Sequence, residues 1–131
     1  MEDNFLIEII SPEKIILSEK AKMVTVPSYE GDMSILKNHI SIITFLRPGK
    51  VTIQKEDNSS INFLIEDGIV EFFKDSLVIL SASAIDIKKL SKEFIEKSSK
   101  EAQDKLASPN ITDKDRYILN HKINILKEVR I

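Results

Sequence analysis

The residues able to do acid–base or nucleophilic chemistry lie in one short stretch of the chain. His39 follows Asp32 and stands between the hydroxyls of Ser34 and Ser41. An imidazole, a carboxylate and a hydroxyl are the groups of a nucleophilic triad, which must converge in one pocket to work. The stretch has neither the glycine-flanked serine of a nucleophile elbow nor another glycine-rich motif. It therefore gives weak support to a hydrolase.

Metal and redox chemistry have even less support. The 131 residues include no Cys and two His. The absence of Cys excludes disulfides, thiolate nucleophiles, Cys-ligated zinc and iron–sulfur clusters. Two His argue against a metal enzyme. We predict a protein without catalytic residues, metal or cofactor.

The charge is divided unevenly along the chain. Residues 1–86 carry 8 Lys and Arg against 14 Asp and Glu, a net −6, whereas residues 87–131 carry 11 against 7, a net +4. An acidic body with a basic tail indicates charged partners. Nucleic acid is disfavoured as a partner, because the whole chain has a net charge of −2 and its basic part has few aromatic side chains to stack on bases.

Length and composition predict one soluble globular domain with room for a short appendage. Hydrophobic residues make up 42% of the chain, enough to build a core. The longest apolar runs have about five residues, far fewer than the ~20 needed to span a bilayer. The start of the chain carries acids where a signal peptide has basic residues, so we expect no export.

Short apolar stretches separated by turn residues predict an all-β sandwich in the first two thirds of the chain. The connections are too short for crossover helices, so neighbouring strands should pair antiparallel. Two stretches, Ile61–Ile65 and Leu77–Leu80, are apolar on both faces and should be covered on both sides by a second sheet, a helix or a partner protein. The predicted strands are Phe5–Ile10, Ile15–Leu17, Met23–Val26, Met33–Leu36, Ile42–Leu46, Val51–Gln54, Ile61–Ile65, Ile69–Phe73 and Leu77–Leu80.

The rest of the chain has helical periodicity. Asp86 is the predicted N-cap of an amphipathic helix of about five turns, which Pro109 ends. Thr112 is the predicted N-cap of a second helix, and a loop of about five residues makes the pair an antiparallel hairpin. The predicted apolar positions are Ile87, Leu90, Phe94, Ser98, Ala102 and Leu106 on the first helix and Ile118, Leu119, Ile123, Ile125, Leu126 and Val129 on the second.

The segment from Val26 to Gly49, VPSYEGDMSILKNHISIITFLRPG, resembles a loop of the ε subunit of F-type ATP synthases, V-P-G-x-x-G-[DE]-x-G-I-L-x-x-H-x-P-x-x-T-x-L-x-P-G. It departs at Ser34, Asn38 and Ser41, where that family has Gly or Pro. The turn at Ser11-Pro12-Glu13 and the stretch from Asp67 to Glu71 also resemble family motifs. The matching positions are Val26, Pro27, Gly31, Asp32, Ile35, Leu36, His39, Thr44, Leu46, Pro48 and Gly49.

The resemblance implies the fold class and a role. The fold would be mainly β with α: a flattened two-sheet antiparallel β-sandwich of about nine to ten strands over residues 1–84, followed by a regulatory αα-hairpin over residues 85–131. The protein would be a non-catalytic part of the central rotor. Its partners would be the γ subunit, held near Ser11 and His39, and the c-ring, held by Glu30, Gly31 and Asp32. Without the resemblance, the two acids would be solvated loop residues and Ser11 a turn former.

The hairpin would press on an acidic loop of the catalytic β subunits and inhibit ATP hydrolysis. The alternative is a solvated face, since Glu93, Glu96 and Glu101 can pair with neighbouring lysines at helical spacing. Ser91 and Phe94 replace the Asp and Arg of the family's I-D-x-x-R-A motif, which argues against regulatory ATP binding. The predicted basic face consists of Lys92, Lys100, Arg116, Lys122, Lys127 and Arg130.

The resemblance also implies a location. The protein would lie at the cytoplasmic face of the bacterial inner membrane, associated with it only through protein partners. The competing interpretation is a free-standing β-sandwich module that binds another protein.

Overall fold

The computed structural model describes residues 3–129, which form ten strands, one 3₁₀ turn and two α-helices. The strands are β1 (Phe5–Ile10), β2 (Ile15–Ala21), β3 (Met23–Ser28), β4 (Gly31–Leu36), β5 (Ile42–Leu46), β6 (Gly49–Gln54), β7 (Ser60–Ile65), β8 (Gly68–Phe73), β9 (Ser76–Leu80) and β10 (Ile85–Asp86). The 3₁₀ turn covers Ile87–Lys89, and the helices are α1 (Lys92–Leu106) and α2 (Asp113–Glu128). The predicted β-sandwich with a helical hairpin is confirmed.

The strands form two layers. One layer runs β10-β7-β6-β3 and carries β4 on the other edge of β3, and the second runs β5-β8-β9-β1-β2. The layers are joined where Ser28 of β3 pairs with Leu46 of β5. The consecutive pairs β1–β2, β3–β4, β6–β7 and β8–β9 are antiparallel, as predicted. β9 and β1 are far apart in sequence and pair parallel, which the spacing of the strands did not reveal.

The core lies between the layers and follows the period-two pattern of the strands. Alternate residues point inward, as in Phe5, Ile7 and Ile9 of β1. Phe72 of β8 is 1% exposed, and its ring meets that of Phe5 edge-on at 5.5 Å. The buried core residues are Phe5, Ile7, Ile9, Ala21, Val24, Val26, Ile35, Leu46, Val51, Ile53, Phe63, Ile65, Val70, Phe72, Leu77 and Ile79.

The first predicted helix begins later than expected. Asp86 does act as a cap, but of the 3₁₀ turn, where its carboxylate accepts a hydrogen bond from the Lys88 N–H at 3.0 Å. Leu90 then takes an extended conformation and Ser91 caps α1, its hydroxyl accepting from the Phe94 N–H at 3.0 Å. The prediction of one helix from Asp86 is wrong, because a second capping residue follows within two turns. The predicted cap at Thr112 is confirmed.

The hairpin is docked on the sandwich and covers the outer face of β7. Leu64, which points away from the sandwich core, packs with Ile95 of α1 and with Ile125 and Leu126 of α2. The expectation that Ile61–Ile65 is covered on both sides is thereby confirmed. Leu80 is 50% exposed, so within residues 3–129 neither a second sheet nor a helix covers it, and cover of Leu77–Leu80 by a partner protein stays a prediction. Neither helix in residues 3–129 has the length and apolar content needed to cross a bilayer.

Candidate functional site

An exposed row of apolar side chains crosses the outer face of the second layer. The register places Phe45 opposite Ile69, Ile69 opposite Leu80 and Leu80 opposite Ile10, on four adjacent strands. Phe45 is 63% exposed and Leu80 50%. We call Ile10, Phe45, Ile69 and Leu80 the apolar row. Contiguous exposed apolar surface of this kind is typical of a protein–protein contact.

The apolar row forms part of an open groove of about 1030 Å³. Ser11, Glu30 and Lys114 also line this groove, so the structure brings two of the predicted site residues to one surface. The Ser11 hydroxyl is engaged in the turn between β1 and β2, where it accepts from the Lys14 N–H and donates to the Lys14 carbonyl, both at 3.2 Å. Ser11 therefore shapes the end of the groove through its turn.

The predicted acidic residues lie at the tight turn between β3 and β4, Glu30 in the connection and Asp32 at the start of β4. We call residues 29–32 the acidic loop. Gly31 has φ +127°, a conformation that side chains with a Cβ rarely adopt. The Ser28 hydroxyl donates to the Gly31 carbonyl at 2.6 Å and closes the turn. Glu30 is exposed on one side of the loop, and the Asp32 side chain is 69% exposed on the other.

Arg47 holds the acidic loop from the sandwich side. Its Nη2 lies 3.1 Å from Asp32 Oδ1, its Nη1 donates to the Pro48 carbonyl at 3.1 Å, and its backbone N–H donates to Pro27. The guanidinium is thus fixed at both ends of its fork, which orients the carboxylate. Sequence reasoning missed Arg47, although it lies inside the recognised motif two residues before Gly49.

His39 is not part of a triad in the described residues. Its Nδ1 lies 2.7 Å from the Ile40 carbonyl, and its ring packs edge-on over Phe72 at 5.9 Å. Asp32 bonds to Arg47, and the Ser34 hydroxyl lies 2.9 Å from that of Thr25. These polar groups are all committed elsewhere, so the arrangement gives no geometric support to nucleophilic catalysis. Within residues 3–129 no cluster of three or more carboxylate and imidazole side chains is placed to hold a metal.

The basic residues of the hairpin fall into two groups, those exposed to solvent and those that face the sandwich. Lys92, Lys100, Arg116 and Lys127 are exposed. Lys122 instead faces the sandwich, where its Nζ forms an ion pair with Glu66 and its side chain is 20% exposed. A second ion pair joins Lys50 and Glu128 at 3.5 Å. Arg130 lies outside the described residues.

The positions of the missing ATP-sensing motif have other structural uses. The Ser91 hydroxyl is engaged as the α1 cap. Phe94 is 39% exposed and lines a cleft of about 340 Å³ together with Glu66, Glu101 and Lys122. An apolar ring in place of a guanidinium offers no charge to a phosphate.

His121 of α2 lies at the contact between hairpin and sandwich. It lines a cleft of about 260 Å³ with Asp32, Arg47 and Glu128. Burial lowers the pKa of its imidazole from 6.5, and the nearby Arg47 guanidinium lowers it further. Both causes disfavour the charged imidazolium while the hairpin is docked.

The fold is a β-sandwich that has an exposed apolar groove and carries a docked helical hairpin. The family described as "ATP synthase, Delta/Epsilon chain, beta-sandwich domain" matches residues 4–87. A protein named ATP synthase epsilon chain from Pelagibacter ubique is 42% identical over 128 residues, covering 97% of this chain and 98% of that protein. Another of the same name from Sinorhizobium fredii is 31% identical over 106 residues, covering 81% and 79%. The chain belongs to the ATP synthase epsilon chain family.

Two solved assemblies contain chains of similar fold. One is the Euglena gracilis mitochondrial ATP synthase, OSCP/F1/c-ring, with a TM-score of 0.77 at 20% identity, covering 97% of this chain and 79% of that one. The other is the central stalk and c-ring of the Tetrahymena thermophila mitochondrial ATP synthase, with a TM-score of 0.67 at 17% identity and 96% of each chain covered. These likenesses concern the fold.

Proposed function

We propose that the protein is a non-catalytic subunit of the central stalk of an F-type ATP synthase and couples the γ subunit to the c-ring. The observation that carries the proposal is the apolar row, an exposed contact surface on a chain of the epsilon family. The subunit works at the cytoplasmic face of a bacterial inner membrane, held there by its protein partners. A rigid sandwich with two adhesive sites suits the transmission of torque.

The γ subunit occupies the groove along the apolar row. Ser11 lies at one end of this groove, and His39 lies near the sheet end at Phe72, so both fit the edge of a γ contact. The central part of an interface carries most of the binding energy, and here it is apolar and exposed. No catalytic role follows for His39.

The c-ring is contacted by the acidic loop through Glu30, Gly31 and Asp32. Gly31 supports this because its φ of +127° permits a tight projecting turn, and Arg47 supports it because it orients Asp32. Ordered carboxylates lose less side-chain entropy on binding than mobile ones. Polar loops that present hydrogen-bond donors or cations would bind these carboxylates.

The hairpin inhibits ATP hydrolysis when it leaves the sandwich and extends toward the catalytic β subunits. Its exposed cations Lys92, Lys100, Arg116 and Lys127 support this, because they remain available to an acidic partner in the docked state. Lys122 becomes available when its ion pair with Glu66 breaks. Arg130 is included in the proposed face by its sequence position alone.

The γ contact is tested by placing a charge in the apolar row. Leu80→Asp should weaken binding to γ at least about thirtyfold, as expected for a central contact worth ~2 kcal/mol. Leu36→Asp is the matched control, because Leu36 is equally exposed, at 51%, but lies on β4 in the other layer. Equal binding by the two variants, measured by surface plasmon resonance, would exclude the groove as the γ site.

The inhibitory role is tested in the assembled complex by ending the chain after Lys89, which retains β10 and the 3₁₀ turn. ATPase activity should rise, because the hairpin is gone. Unchanged activity would contradict the inhibitory role and leave the γ contact untouched. Arg116→Glu with Lys127→Glu should give a smaller rise, since these residues lie eleven positions apart on one face of α2.

A further inference from the structure

The acidic loop is held by the hairpin as well as by the sandwich. The hydroxyl of Tyr117 on α2 donates a hydrogen bond of 3.1 Å to the carbonyl of Tyr29, 88 residues away. The two rings stack with centroids 5.8 Å apart and an angle of 16° between their planes. Tyr29 immediately precedes Glu30, so α2 fixes the backbone from which the acidic residues project.

The neighbouring turn of α2 reinforces this contact. His121 packs against Tyr117 with ring centroids 4.4 Å apart, and it shares a cleft with Arg47 and Asp32. The ring of His121 thus restricts the Tyr117 side chain. The loop is thus fixed at Tyr29 by the hairpin and at Asp32 by Arg47 of the sandwich.

We propose that Tyr117 is a positioning residue for the acidic loop, so that the docked hairpin and the loop's hold on its partner stabilise each other. The inference rests on the proposed function for the identity of that partner, the c-ring. The coupling between the loop and the hairpin lies within this chain and does not depend on any partner.

Extension of the hairpin must separate Tyr117 from Tyr29, because Tyr117 moves with α2. Of the contacts described above, the loop then keeps those of Ser28 and Arg47 and the pairing of β3 with β4. Coupling of this kind is reciprocal, so a partner that binds the ordered loop also favours the docked hairpin. Since both rings are nearly 40% exposed, we expect an effect of about fivefold, at the low end of typical couplings.

Hydrogen exchange on the isolated full chain tests the coupling without any partner. Tyr117→Ala should speed exchange of the amides of residues 29–32 about fivefold, and Tyr117→Phe about twofold, since it removes the hydrogen bond and keeps the ring. The matched control is Phe94→Ala, which removes a hairpin ring of equal exposure that does not touch the loop. It should leave loop exchange unchanged.

A second variant covers the case in which Tyr117→Ala disturbs α2 itself. Leu126→Ala loosens the hairpin at a distant contact and should also speed exchange in the acidic loop. Loop exchange that stays at the wild-type rate in both variants would overturn the coupling. Exchange as fast in Phe94→Ala as in Tyr117→Ala would also overturn it, because no specific role for Tyr117 would remain.

The reciprocal arm uses detergent-solubilised c-ring as the probe. Its addition to the full chain should slow exchange of the α2 amides, and Tyr117→Ala should abolish this slowing. If c-ring binds and α2 exchange is unaltered, the coupling is overturned while the proposed contact stands. If c-ring does not bind, the proposed contact is overturned while the exchange result for the isolated chain stands.

Discussion

The sandwich and the hairpin differ in how much apolar surface holds them. In residues 3–129 the sandwich core contains sixteen buried side chains from nine strands, whereas the hairpin docks through a cluster of four, Leu64, Ile95, Ile125 and Leu126. Buried area sets most of the stabilisation. We therefore expect the sandwich to stay folded when the hairpin leaves it.

The two regions also differ in the chemistry of their contacts. Strand pairing locks the sandwich, but the hairpin adds partly exposed groups: the ion pairs Lys122–Glu66 and Lys50–Glu128 and the stacked ring of Tyr117. Each exposed ion pair contributes no more than about 1 kcal/mol. Such a contact is suited to reversible release.

The largest effect is expected from the sandwich core. Phe72→Ala should lower the free energy of unfolding by about 3–5 kcal/mol, because it leaves a cavity among buried side chains. The neighbouring Phe73, which is 54% exposed, is the matched control, and Phe73→Ala should change stability by about 0.5 kcal/mol or less. Urea unfolding followed by circular dichroism measures both. Similar losses in the two variants would show that this layer has no specific core.

A smaller effect is expected from the hairpin cluster. Leu126 is 1% exposed, and Leu126→Ala should weaken docking by up to about 2–3 kcal/mol. The sandwich should unfold near its wild-type urea midpoint, because the substitution destabilises the docked hairpin and the sandwich should stay folded without it. Limited proteolysis should cut the hairpin faster in this variant and not in Lys127→Ala, its exposed neighbour. A large fall of the sandwich midpoint would show that the two regions fold as one unit.

The smallest effect is a pH dependence of docking through His121. Because the docked state lowers the pKa of this imidazole below 6.5, the undocked hairpin binds more protons. Docking is therefore strongest above pH 6.5 and weakens as the pH falls through the docked pKa. We expect docking to be weaker at pH 5.5 than at pH 7.5.

His121→Gln is the control for this pH dependence. In this variant the rate of hairpin proteolysis should no longer change with pH below pH 6.5. Glutamine keeps a polar neighbour for Tyr117. The same pH dependence in both proteins would assign the effect to groups other than His121.

Local patterns were sufficient to predict most of the fold. Short apolar stretches separated by turn residues predicted strands β1 to β9, and the caps and Pro109 predicted the end of α1 and the start of α2. The start of α1 was missed because Asp86 and Ser91 are both good caps. β10 was missed because two residues carry no pattern. The domain boundary after residue 84 stays a prediction, and β10 extends the sheet to Asp86.

The candidate site was predictable only in part. The motif indicated Glu30, Gly31 and Asp32, but their supports Arg47 and Tyr117 come from other elements. A contact such as Tyr117 to Tyr29 depends on how α2 lies on the sandwich, which no local pattern encodes. The apolar row was likewise hidden, because it depends on the register of four strands, one of which pairs parallel.

Native-state hydrogen exchange of the full chain tests the central claim, a rigid sandwich with a releasable hairpin. The amides of β6 and β8 should open only with global unfolding, and those of α1 and α2 at a free energy lower by at least about 2 kcal/mol. The opening free energies of the helical amides should be independent of low urea concentrations only if these amides exchange through local openings. Equal opening free energies in helices and strands, with the same urea dependence, would contradict the account.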